Sequence, residues 1–182
     1  MAKQSPTPKV RKLALNRLKQ GIPCVTSAFG GMLAEAAGVC LEHRQHTSGA
    51  HLTVQGIATE TFEIHWQAVT EKMQRCWGDL QAATEHGAYG VAFLLIMDLT
   101  EYTIIERSYK GTGFDYWLGK KNDDLFQKKA RLEVSGILAG EEKEIKDRVR
   151  QKKKQTDPSD GKRPAYIVVV EFSAPTARVV KK

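Results

Sequence analysis

The stretch AFLLIMDL, residues 92–99, is apolar except for one acid, and its period alone does not separate a buried strand from a helix. Its residues are mostly Ala, Leu, Met and Phe, with Ile96 as the one β-branched side chain, so propensity favours a helix starting near Asp79. That choice sets the reading of everything downstream. YTIIERSYK (102–110), FDYWLG (114–119) and ARLEVSGIL (130–138) read as strands, and a charged helix follows Gly140. AYIVVVEFS (165–173) is a nearly continuous apolar run, the pattern of a strand buried on both faces. The order from residue 79 is therefore helix, three strands, helix, strand. Short connections make the three strands an antiparallel meander, and the helical crossover places the last strand parallel to a neighbour. The fold class is α/β, with a mixed sheet between helices.

Upstream, residues 1–9 read as a mobile arm and VRKLALNRLKQG (10–21) as a short amphipathic helix. A helix capped by Thr26 or Ser27 follows. HLTVQG (51–56) and TFEIHWQ (61–67) alternate with period two and read as a hairpin. Residues 68–99 are helical in composition, with a break expected near Gly78 or Gly87. The chain thus divides into a basic arm with a short helix (1–24), a helix-and-hairpin extension (25–78) and a core (79–182).

Composition narrows the function class. The longest apolar run, VAFLLIM (91–97), is too short to span a bilayer, and the basic, polar N-terminus lacks the apolar segment of a secretion signal. Cys24, Cys40 and Cys76 have no CxxC spacing, so reduced thiols in a cytoplasmic protein are expected rather than a zinc site. The net charge of +7 favours an anionic partner. Residues 1–20 carry six Lys or Arg and no acid, and EEKEIKDRVRQKKKQ (141–155) ends in Arg148, Arg150, Lys152, Lys153 and Lys154. Nucleic acid is the expected partner. A solvated helix end and a free arm would account for the same residues.

Two acids interrupt this apolar pattern: Asp115 in GTGFDYWLG (111–119) and Glu133 in RLEVSG (131–136). Alternation puts Arg131, Glu133 and Ser135 on one face of their strand, and Asp115 on a face with Gly113 and Trp117. If the strands pair, the two carboxylates converge within reach of one Mg²⁺ or Mn²⁺, a hard cation that takes one or two carboxylates and keeps several waters. The simpler readings are an Asp115 bonded to the backbone of its own turn and a Glu133 paired with Arg131 or Arg107. The five histidines read as surface residues, Glu35 and Glu42 as a solvated helical stripe, and Trp66, Trp77 and Trp117 as packing. GTG lacks the lysine and hydroxyl of a P-loop.

In element order and in these two acids, residues 79–173 resemble the PD-(D/E)xK, restriction-endonuclease-like nuclease superfamily. The resemblance implies a metal-dependent nuclease acting on DNA, in restriction, repair or defence against mobile elements, with room for a partner subunit that supplies targeting. It implies an αβββαβ core, Asp115 and Glu133 as metal ligands, and Glu85 in AATEHGAYG as the acid that many members carry on the first core helix. The motif's lysine position is Ser135, which has no charge to polarise a water. Members vary here and the lysine can migrate; Lys129, Arg131 and Lys110 are the candidates in this chain. The alternative implied by Ser135 is an inactive nucleic-acid-binding or interaction subunit that keeps the fold.

Overall fold

The computed structural model describes residues 10–122, 125–159, 161 and 163–182. The expected arm at residues 1–9 lies outside them. Eight strands form one mixed sheet: β1 (Arg11–Ala14), β2 (Ala50–Gly56), β3 (Glu60–His65), β4 (Tyr102–Arg107), β5 (Tyr116–Lys120), β6 (Ala130–Ile137), β7 (Ala165–Glu171) and β8 (Thr176–Lys181), in spatial order β1-β3-β2-β8-β7-β6-β5-β4. The helices are α1 (Ser27–His43), α2 (Glu71–Cys76), α3 (Leu80–Leu99) and α4 (Glu142–Gln155), with short 3₁₀ turns at Leu15–Gln20 and Asp157–Ser159. No helix among the described residues is long and apolar enough to cross a membrane.

AFLLIMDL is helical, as the end of α3. Asp79 caps that helix by accepting from the backbone N–H groups of Gln81 and Ala82, and residues 87–96 of α3 are buried. The break falls at Trp77–Asp79, between α2 and α3, and Gly87 lies inside α3. The meander β4–β5–β6 is antiparallel, and β7 runs parallel to β6 after the α4 crossover. β7 is buried along its whole length because the sheet is covered on both sides. Tyr166, Val168 and Val170 join the cluster under α1 and α3, while Ala165, Ile167 and Val169 join Ile145 and Val149 of α4.

Two expectations need correction. Residues 10–21 do not form an amphipathic helix. Arg11–Ala14 is an edge strand parallel to β3, followed by a 3₁₀ turn that buries Leu15 and Leu18, three residues apart. A helix this short is marginal by itself, whereas the open edge of β3 supplies hydrogen bonds at once. The sheet also does not end at AYIVVVEFS: TARVVK forms β8, which pairs antiparallel with β7 and parallel with β2. Through β8 the hairpin of residues 50–65 continues the same sheet as the meander.

Two glycines set the helix spacing. Gly136 lets β6 pass under α3, where a Cβ would run into the Thr84 carbonyl. At Gly87 a Cβ would stand 2.8 Å from the Ala37 Cα and 2.9 Å from its N, so α1 and α3 touch backbone to backbone there. Gly87→Ala is expected to gain helix propensity yet lower stability by about 1–3 kcal/mol, because the α1 backbone cannot yield. Urea denaturation checks this, and a stabilised variant would contradict the close packing.

Candidate active site

The strands β5 and β6 pair from Leu118↔Ala130 to Tyr116↔Leu132 and then separate. Beyond this fork the Val134 N–H has no β5 carbonyl, and Asp115 takes that place. Its backbone N–H donates to the Leu132 carbonyl at 2.9 Å, and its Oδ2 accepts from Val134 N–H at 2.8 Å. Oδ1 accepts from the Tyr89 hydroxyl of α3 at 3.0 Å. The carboxylate is thereby fixed through both oxygens. Tyr89 is itself held by edge contacts with Tyr116 and His86 and by Phe93. Burial and the Asp115 charge both push the Tyr89 phenol far above its ordinary value, so it stays a donor.

Glu133 is 0% exposed. Its Oε1 accepts from Lys152 Nζ of α4 at 2.6 Å. Its Oε2 is buried without a hydrogen-bond partner among the described residues, and the Asp115 carboxylate is near enough for its charge to act on it. Burial raises Glu133 most, the Asp115 charge adds to it, and Lys152 opposes both, leaving the carboxyl at about 7. An acceptor oxygen with no donor, beside a second carboxylate, is a place where a proton or a cation is favoured.

Asp115 opens onto a cavity of about 530 Å³, lined also by Ser135, Tyr89 and Glu85 and by Glu144, Arg148 and Lys152 from α4, and Glu133 is buried behind that lining. Glu85 is exposed on the α3 side of this cavity. Ser135 lies 9% exposed, with its Oγ accepting from Arg148 at 3.1 Å. The structure thus brings Asp115, Ser135 and Glu85 around one cavity, and Glu133 reaches it only through Lys152, which lines it.

The three cation candidates are elsewhere. Arg131 is buried and donates to the Thr156 and Arg163 carbonyls and the Ser159 hydroxyl. Lys129 reaches Gln127, and Lys110 is exposed on its turn. The cation at Glu133 is Lys152, a residue grouped at first with the phosphate-binding or solvated end of the helix. Ile145 and Val149 point to the sheet, and Arg148 and Lys152 follow each of them by three positions. That helical spacing was readable, but which strand residues α4 would cover was not. Glu42 is likewise no solvated stripe residue, since its Oε1 accepts from the Trp66 indole at 3.0 Å and from Val69 N–H at 2.9 Å. His46 is no free surface histidine, since its Nε2 meets the carbonyls of Phe172 and Ser173.

Among the described residues no group of three or more His, Cys, Asp and Glu side chains is arranged to hold a metal ion. The Asp115–Glu133 pair still fits Mg²⁺ chemistry: its donors are all oxygen, one is unpaired, and this ion needs only one or two carboxylates beside its waters. No protein-family model, curated protein or solved structure matches this chain.

Two outcomes follow from this geometry. Tyr89→Phe removes only the donor to Asp115 Oδ1 and is expected to cost about 1–2 kcal/mol in chemical denaturation. The folded Glu133 carboxyl lies above its ordinary 4.5, so the folded chain holds the proton that the unfolded chain releases between pH 4.5 and 7. Its contribution to stability is present below the unfolded value and lost as pH rises through about 7. In EDTA, the stability of wild type relative to Glu133→Gln should therefore fall between pH 4.5 and 8. A difference that stays flat across that range would show that Glu133 titrates normally.

Proposed function

We propose that this chain is a metal-dependent nucleic-acid phosphodiesterase of the restriction-endonuclease-like, PD-(D/E)xK type, acting on DNA, with Lys152 of α4 in place of the motif lysine. One observation carries the reading. At the fork between β5 and β6, Asp115 and the buried Glu133 meet beside an ammonium 2.6 Å from Glu133, within the order α3-β4-β5-β6-α4-β7. The residues of that segment were the ones expected to carry such a core.

In this reading Asp115 and Glu133 hold Mg²⁺ or Mn²⁺, which supplies positive charge for the phosphoryl oxygens and a more acidic water. The protein does the rest. Tyr89 and the Val134 N–H keep Asp115 from rotating, so it presents its remaining lone pairs without an entropy cost at binding. Lys152 favours the ionised form of Glu133 and so opposes the burial that raises it. The same ammonium is a local positive charge for the transition state, the part Ser135 cannot play. Glu85, on the exposed side of the cavity, is placed to bind a water or a second ion. The net charge of +7 draws a polyanion toward an otherwise acidic cleft. Three free cysteines suit a reducing, cytoplasmic setting.

The second reading is a nucleic-acid-binding or interaction subunit that no longer cleaves. The closed Glu133–Lys152 pair favours it, since a neutralised glutamate binds a cation less well. Nicking of plasmid, single-stranded DNA and RNA in Mg²⁺ or Mn²⁺ separates the two. Under the first reading, Asp115→Ala abolishes cleavage and Glu133→Gln and Lys152→Ala each lower it by about 10²-fold or more. Ser135→Lys should also lower the rate, because a third cation would crowd Arg148 and Lys152. Cleavage that survives Asp115→Ala comes from another site, and wild type inert with every metal supports the binding subunit.

A further inference from the structure

The serine at the lysine position has its own partner. Ser135 Oγ accepts one hydrogen bond from Arg148 Nη1 at 3.1 Å, just as Glu133 accepts one from Lys152. Two strand residues on one face span about 7 Å and four helical residues rise about 6 Å, so residues 133 and 135 match residues 152 and 148 in register. Lys152 spends its charge on Glu133. Arg148 does not spend its own in the same way. Its nearest acid, the half-exposed Glu144, stays 3.9 Å from Nη2, beyond hydrogen-bond length. Of the five N–H donors of a guanidinium, only one has a protein acceptor among the described residues, and the group lines the cavity that holds Asp115.

We propose that Arg148 is the phosphate anchor of this cavity: it binds non-bridging oxygens of an internal nucleic-acid phosphodiester, and Ser135 is the positioning residue that aims it. A planar fork of donors matches two phosphate oxygens, whereas an ammonium meets them as a point charge. A lysine at 135 would repel this guanidinium, and a serine orients it. The inference rests on the phosphodiester reading, which makes a phosphate the expected occupant. Glu144 competes weakly, because an exposed carboxylate at this distance is screened by water and salt.

Fluorescence anisotropy with 5′-hydroxyl DNA, duplex and single-stranded, tests the anchor without terminal phosphates, in EDTA to prevent cleavage and again with Ca²⁺. Arg148→Ala and the size-conserving Arg148→Gln should weaken duplex binding at least about tenfold and lower the log–log salt slope by about 0.9. Arg148→Lys should restore the slope but only part of the affinity. Ser135→Ala should weaken binding alone and change nothing further in the Arg148→Ala background, a coupling that a purely structural role would not produce. Lys146→Ala removes an exposed charge from the same helix and is expected to leave affinity within about twofold. If Lys146→Ala matches Arg148→Ala, the effect is the general field and the anchor is refuted. If both Arg148 variants bind as wild type while wild type cleaves, the anchor is refuted and the phosphodiesterase reading stands. If wild type binds no nucleic acid under either condition, both fall.

Discussion

Glu133 is a carboxylate with no exposed surface in the middle of a strand, and an unpaired charge there would cost several kcal/mol. Everything around the cavity relates to that cost. α4 brings Lys152 to one oxygen, the fork of β5 and β6 brings Asp115 toward the side chain, and the raised pKa shows that compensation is incomplete. A strand built for stability alone would carry an apolar residue at this position, as β7 does throughout. In the proposed reading, a bound cation completes the pairing of the retained acid and its unpaired oxygen.

α4 has two tasks on one face. Ile145 and Val149 seal the apolar surface of β6 and β7, and Arg148 and Lys152 lie over Ser135 and Glu133. The helix can do both because its turn spacing and the strand's alternation nearly coincide over this distance. Its exposed side is threaded with acid–base pairs such as Lys146–Glu142 and Arg150–Asp147, which carry little stability individually. The basic run at its end accordingly does not face one way. Lys152 turns inward to Glu133, Lys153 is half-buried, and Lys154 points to solvent.

The opposite side of the cavity is set by backbone proximity rather than charge. With no side chain at Gly136 and Gly87, α3 lies close to both β6 and α1. That closeness puts Tyr89 within reach of Asp115 across the sheet end, and the aromatic contacts with Tyr116, Phe93 and His86 hold the ring in place.

The sequence by itself determined the local elements with strong periodic or compositional signals: α1 and its Thr26 cap, the 50–65 hairpin, α3 from its Asp79 cap, the meander, α4 and the doubly buried β7. It also singled out Asp115 and Glu133, because an acid inside an apolar alternation is visible in one dimension. Tertiary structure alone decided the partners. Lys152 is nineteen residues from Glu133, and Tyr89 is twenty-six from Asp115. β1 exists because the edge of β3 offers hydrogen bonds, and β8 because β2 and β7 leave a slot between them. Alternation assigns a residue to a face, but which helix covers that face depends on how distant segments pack, and no local pattern encodes that distance.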